Sequence, residues 1–431
     1  MYVSVLLQGS EFIMSTLLEY CKGKKSIICY GAGLYGRIVC VFLRENGIKI
    51  ECFAVTDAAD ICAEVLEKKV VEINRIADNS DCGIVVCANN LISKEMINKL
   101  REKGILDYYV VDDENIGLID SNCKYVYDYN YKGKGKILLF HRVCELKSDI
   151  WKLANSPASF RKQLEYLKVN YNVVSYDELW ETDSENMVAI TFDDGYADNY
   201  QFALPILEEL RIPATVFVCT GNIDSDREFW WDSLERMVVC NPECPREINV
   251  LGEVVCLVGI EAKLKACYWL REKILFMNSN EREDFFQELS YQTRDDGTQR
   301  KTHRSLTSDE LRRLDRSPYI TIGGHTVTHT RLTSQTYDEQ LWEIQTSKHF
   351  LEDLLDHPID CFSYPFGGKT DYDMDTIMAA KSAGYKRVAA VQRRYRKEGM
   401  YDYNHSRIGI QGKSSGSANL YELRRAITLG E

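Results

Sequence analysis

The chain has 431 residues, 45% of them hydrophobic and 27% charged, a composition able to bury full cores and a length that points to two or three domains. Its formal net charge of −12 argues against a general binder of nucleic acid or of anionic membranes and leaves neutral substrates open. Many of its fifteen cysteines, such as Cys29, Cys40, Cys52, Cys87 and Cys219, lie inside apolar runs, the placement of reduced core residues and not of a disulfide framework.

The opening stretch, "MYVSVLLQGSEFIMSTLLEY", lacks the basic and long apolar regions of a signal peptide. No run of 18 apolar residues occurs, so no membrane span is expected. "GSEF" before Met14 reads as an added junction, with Met14 the natural start and a cytoplasmic protein the default. From there the chain alternates. "SIICYGAG" reads as a buried strand, "LYGRIVCVFLRENG" as an amphipathic helix closed by Gly47, and "KIECFAVTD" as the next strand. "CGIVVCAN", "SKEMINKLREKGI" and "DYYVVDD" continue the rhythm, which implies a parallel, doubly wound sheet over residues 14–120. "GAGLYG" fits the G-x-G-x-x-G pattern between strand and helix. Gly31, Gly33 and Gly36 would let a pyrophosphate approach a helix amino terminus, and Asp57 closes the second strand where ribose hydroxyls would lie. The pattern makes a nucleotide or NAD a candidate cofactor of this half.

A linker is expected over 121–135. A second β/α series starts at "GKILLFH" and fills 136–431, with an inserted, largely helical subdomain at about 222–305 that carries a hairpin around "VLGE". Six or seven such units favour a barrel or a wound sheet. Within the insertion "CNPEC" (Cys240, Cys244) could be half of a zinc site, but no second Cys/His pair has matching spacing. Trp230 and Trp231 are adjacent, so on a helix only one need face the core, and core packing is expected over sugar stacking.

Polar residues gather where the strands of this series stop. His141 follows "ILLF", Asp193 and Asp194 follow "VAITF", His325 and His329 follow "YITIGG", and Tyr364 follows "IDCFS". Parallel β/α folds place active sites at these carboxyl ends. Consecutive residues of a strand face opposite ways, so for both acids to serve one site the strand must break, and Gly195 permits that. Two such close carboxylates repel unless a cation joins them. His325 and His329, four apart, would share one face of a helical turn. Two imidazoles and one carboxylate leave an open position on a divalent metal such as zinc.

"TFDDGY", "HTVTH" and "YPFG", in this order, resemble the polysaccharide deacetylase family (NodB homology domain, carbohydrate esterase family 4). The resemblance covers about residues 136–411 without the insertion and implies a distorted (β/α)7 barrel there. With the readings above, the expected fold is α/β, a Rossmann-like parallel-sheet domain followed by that barrel with an inserted helical subdomain. It implies a metal-dependent hydrolase that removes N-acetyl groups from a carbohydrate, in bacterial surface polysaccharide metabolism. Asp193 would be the general base, Asp194, His325 and His329 the metal ligands, and the Tyr364 N–H an oxyanion donor. The family's general-acid His lies late in the chain, where only His405 is available. "ILLFHRV" resembles that late strand moved to the front, as in circularly permuted members, so His141 is favoured. Ser363 stands where many members have an Arg that orients the base, and Arg407 is the candidate substitute; the family's Asp-x-x-Asp-Trp motif is not evident. The amino-terminal half is loosely similar to Rossmann-like modules of bacterial sugar-modifying proteins. Two other readings stay open: a nucleotide-binding oxidoreductase or sensor with an inactive barrel, and an amidase of non-sugar substrates.

Overall fold

The computed structural model describes residues 16–57, 64–66, 68–76, 81–88, 90–111, 115, 116, 119, 135–182, 186–392, 403, 405–410, 420, 423 and 427. All but the last residue of the expected linker therefore lies outside the described residues, as do the opening residues up to 15. The chain divides into one unit of residues 1–131 with 419–429 and another of residues 132–418 with 430–431. The sequence reading ran the barrel to 431. The late residues Leu423 and Ile427 are buried and fall in the first unit.

In the first unit Ser26–Tyr30 is a strand buried on both faces. Alternation explains how. Ile27 and Cys29 join one cluster with Ile38, Val39 and Phe42 of the helix Leu34–Glu45. Ile28 and Tyr30 join the other, with Met96 and Leu100 of the helix Asn90–Glu102. A strand whose every residue is covered reads as a continuous apolar run. The sheet runs in the order 64–65, 68–72, 50–55, 26–30, 82–87, 108–111, and only the first of these pairs is antiparallel. Sequence reasoning missed Glu64–Val65 and Lys68–Glu72, whose lysines and glutamates mask the strand pattern.

The glycine loop follows the central strand. Gly31 has φ +118, and a Cβ there would overlap the Cys87 carbonyl; at Gly36 it would overlap the Gly31 carbonyl. At Gly33, the N-cap of Leu34–Glu45, a Cβ would meet nothing.

In the second unit, parallel strands Lys136–Phe140, Met187–Phe192, Ala214–Val218, Ile320–Gly324, Cys361–Ser363 and Arg387–Ala390 pair in that order. The last strand is split. His405–Ser406 pairs with Arg387–Ala390, and Ile408–Gly409 turns to pair with Lys136–Phe140. The result is a nearly closed, parallel, barrel-like sheet whose seam falls at Arg407. Between the adjacent strands Ala214–Val218 and Ile320–Gly324 the chain inserts helices Trp230–Glu235, Gly259–Ile274 and Ser279–Thr293. It also inserts the hairpin Glu247–Val250 with Glu253–Cys256. The hairpin turns on Leu251 and Gly252, both at positive φ, as a two-residue connection of this hand requires.

The packing of the glycine loop yields a paired test. Gly36→Ala is expected to cost about 1–3 kcal/mol, the usual penalty for forcing atoms into a filled space. Gly33→Ala, at an open N-cap, is expected to cost less than about 1 kcal/mol. Urea unfolding of the full chain measures both, and equal losses would contradict this account.

Candidate active site

Strand Met187–Phe192 sets the geometry. Phe192 packs outward on Phe140 and Phe160, while the Thr191 hydroxyl donates to the Leu138 carbonyl within the sheet. Period-2 alternation then gives Asp193 the same face as Thr191. Asp194 would point away, but it lies at φ 76 and Gly195 at φ 78. The chain therefore breaks one residue earlier than Gly195, on Asp194 itself, a residue type that tolerates the left-handed region better than most. Both carboxylates become buried neighbours.

Asp193 is held by Arg407. Nη1 donates to Oδ1 at 2.6 Å and Nη2 to Oδ2 at 2.7 Å, a two-pronged pair with the guanidinium side chain fully buried. Nη2 also meets the Ser363 hydroxyl at 2.5 Å. A small residue at 363 and an arginine at the seam thus give Asp193 its guanidinium from another strand. Burial alone would raise the Asp193 carboxyl, but Arg407 overcomes it and brings it down to about 2. Asp194 has no such partner and burial pushes it upward.

The segment from His325 to His329 is a loop and not the helical turn expected from the spacing. Thr326 and His329 both lie at positive φ. The loop is shaped by Glu343, buried on the helix Tyr337–Leu355, whose carboxylate accepts from the Val327 and Thr328 amides at 2.8 and 2.9 Å and from the Thr328 hydroxyl at 2.5 Å. On the other side Thr220 N–H and Gly221 N–H donate to the carbonyls of Thr326 and Val327. Glu343 left no sign in the sequence, because its partners are backbone amides.

These constraints bring Asp194, His325 and His329 together, one ligand atom from each lying within 4.8 Å of the others. His325 Nδ1 is 2.8 Å from the Ser363 carbonyl, an acceptor, so Nδ1 carries the proton and Nε2 presents a lone pair. That lone pair faces Asp194 Oδ1 at 3.6 Å, and His329 Nε2 faces the same oxygen at 3.2 Å. Asp194 Oδ1 is buried and takes no hydrogen bond. Burial, first of all, holds His325 down to about 4 and His329 to about 3, so both imidazoles are neutral near pH 7. Acceptors converging without a proton between them fit a divalent cation, and the N,N,O donor set suits zinc. His329 is walled by aromatic rings, Trp231 at 4.5 Å and Phe366 at 4.8 Å between centroids.

His141 is half-buried at the end of Lys136–Phe140, with its carbonyl fixed by the Asn199 amide at 2.8 Å. Burial lowers its pKa while the charges of Asp194 and Asp193 work the other way, which places its ring within their field. His405 instead packs its ring on Trp180, 4.7 Å away, and on Tyr176. The Tyr364 amide requires a correction: it donates to the Ala389 carbonyl at 3.1 Å, so the sheet ladder engages the proton that an oxyanion would need. Phe366, two residues on at φ 61, gives no backbone proton to any partner among the described residues.

Trp230 and Trp231 are both buried, where one was expected to suffice. Among the described residues no third ligand atom joins Cys240 and Cys244. In the first unit packing leaves no room for a side chain at Gly31 or Gly36, and Asp57 is exposed beyond the strand Ile50–Val55. A cavity of about 660 Å³ in that unit opens at the opposite ends of the strands, beside Lys24, Cys82 and Asp107.

Two measurements follow from the site. Arg407→Met strands a buried carboxylate, which is expected to cost about 3–5 kcal/mol in urea unfolding; a loss below 1 kcal/mol would show the pair to be dispensable. For metal-stripped protein the histidines fix a pH dependence. Unfolded imidazoles protonate near 6.5, the folded ones only near 4 and 3. The unfolded chain therefore binds more protons between those values, and stability should fall steadily as pH drops from about 6.5 to 4. Unfolding midpoints across that range, compared with a His325→Gln/His329→Gln variant of shallower slope, check it.

Residues 181–241 and 274–388 match the sequence profile of a family described as "Polysaccharide deacetylase". A curated Bacillus subtilis (strain 168) protein, YxkH, is 23% identical over 238 residues; its own name gives polysaccharide deacetylase as a provisional assignment. The match covers 54% of this chain and 56% of that relative, so the chain spans little more than half the relative's length. Among solved structures, a Streptococcus pyogenes deacetylase, PplD, in complex with acetate is 19% identical, with 68% of this chain and 97% of that one covered and a TM-score of 0.43. The Bacillus cereus polysaccharide deacetylase BC0361 is 17% identical, with 68% and 69% covered and a TM-score of 0.43.

Proposed function

Because residues 181–241 and 274–388 belong to the polysaccharide deacetylase family, we propose that the second unit is a metal-dependent hydrolase that removes N-acetyl groups from a glycan or glycan precursor. The bond cleaved is a carbon–nitrogen bond outside a peptide. The observation that carries this reading is the convergence of Asp194, His325 and His329 on one point beside an ionised Asp193.

Asp194, His325 and His329 would hold a divalent cation, zinc by its donor set. Such an ion, when bound, lowers the pKa of water and polarises an acyl carbonyl. Asp193 accepts a proton from the attacking water. Arg407 keeps both its oxygens oriented and the group charged, so it stands ready as an acceptor. As water's oxygen adds to the acetyl carbon, negative charge builds on the carbonyl oxygen, and the donor we assign to it is the Phe366 N–H. The carbon–nitrogen bond then breaks and the nitrogen takes a proton. His141 is the group we assign to deliver it, since His405 is packed against Trp180. Products are acetate and a free amino sugar. Bacterial surface polysaccharide is the setting that the family resemblance favours.

Acetate release from N-acetylglucosamine oligomers tests the reading. Activity should vanish on chelation, fall at least about 100-fold in Asp193→Asn, and fall far more in His141→Gln than in His405→Gln. Cleavage of simple acetamides but not of sugars would point to a non-sugar amidase. A protein that keeps its metal yet releases acetate from neither would overturn the proposal.

A further inference from the structure

A second group of ligand atoms lies inside the insertion. We propose that Asp232, Glu235 and His303 bind a second divalent cation, separate from the one at Asp194. One ligand atom from each of the three lies within 4.8 Å of the others, and all three residues are buried. Asp232 and Glu235 sit on the helix Trp230–Glu235, and His303 on the short turn Lys301–His303 at the far end of the insertion. An ion there would clasp the insertion's entry to its exit.

His303 is the observation that lifts this above a cluster of acids. Its side chain sits in a residue only 4% exposed. Nδ1 meets the Thr302 hydroxyl at 2.9 Å, while Nε2 is buried with no hydrogen-bond partner. A buried imidazole nitrogen left so has lost its hydration with nothing in exchange. With no partner and two carboxylates beside it, this nitrogen is placed to ligate a metal. Asp232 supplies an open oxygen as well. Its Oδ2 takes the Tyr196 hydroxyl at 2.6 Å, and no hydrogen bond reaches Oδ1 among the described residues. Glu235 is held in place by Arg300 at 2.9 Å on one oxygen and by the Ser148 hydroxyl at 2.6 Å on the other.

Charge favours a cation despite the arginines. Arg142 pairs with Asp198, Arg236 with Glu228 and Asp295, and Arg300 with Glu228 and Glu235. With Asp232, five carboxylates face three guanidiniums, and a divalent ion would balance the remainder. Two carboxylates and one imidazole suit Zn²⁺ or Mn²⁺ over Ca²⁺ or Cu⁺. The ion's effect would reach the deacetylase site by packing. Asp232 bonds Tyr196, whose oxygen accepts from Trp231 Nε1 at 2.8 Å, and Trp231 packs on His329.

The proposal does not depend on the deacetylase reading, and a metal count separates them. The full chain, stripped with EDTA, its accessible thiols blocked (Cys240 and Cys256 among the described residues), is reloaded with Zn²⁺, desalted and counted by mass spectrometry. We expect two ions per chain in the unaltered protein, one in His329→Ala, and none in His329→Ala combined with His303→Ala. Asp232→Asn, which keeps size and the Tyr196 hydrogen bond, should also remove one ion. If the His303 variant does not fold, His329→Ala alone decides: one ion, lost in Asp232→Asn, supports the site. No ion in His329→Ala, or an ion that survives both insertion substitutions, overturns it. Loss of acetate release with the insertion ion retained would sink only the deacetylase reading.

Discussion

The buried pair between Arg407 and Asp193 joins two things that the chain keeps 214 residues apart. Arg407 lies where the parallel sheet changes partner, with His405–Ser406 on one neighbour and Ile408–Gly409 on another. Asp193 lies at the end of a strand buried along its whole length. A carboxylate cannot stay ionised in such a place without a matched cation. The guanidinium that meets this need also fixes the seam, because its two prongs and the Ser363 hydroxyl leave it one orientation. Closure of the sheet and ionisation of Asp193 therefore depend on one contact.

Around this pair the backbone is forced where charge must converge. Asp194, Thr326, His329 and Phe366 all adopt positive φ without being glycine, each at an energetic cost of order 1–3 kcal/mol. Glu343 and the amides of Thr220 and Gly221 hold the His325–His329 loop in that shape. The outcome is three acceptor atoms aimed at a common point, an arrangement whose mutual repulsion a cation would relieve.

The insertion belongs to this site more than its sequence position implies. Trp231 stacks on Phe229 and meets His329 edge-on, while Trp230 Nε1 donates to the His329 carbonyl at 3.4 Å. A segment that leaves the sheet after Ala214–Val218 thus returns as the wall of the site. Its own interior is held by charge, with Glu228, Asp232 and Glu235 buried beside Arg236 and Arg300, a network that is costly to bury unless every member is matched.

Residue order alone determined the local features. Continuous apolar runs marked the strands, and the polar residues after them marked His141, Asp193, Asp194, His325 and His329, because a strand end is a property of neighbouring residues. The sequence could not show that 325–329 is a loop, since four-residue spacing is shared by a helical turn and by a loop shaped from outside. It could not show that the Tyr364 amide is engaged by Ala389, because a ladder partner depends on register. Arg407 stood out as a candidate partner of Asp193 only through the family resemblance, and the structure makes that pair; residue order could not seat both tryptophans indoors or bring His303 to Asp232. Those contacts join residues far apart in the chain, and only the tertiary structure decides which distant charges and rings meet.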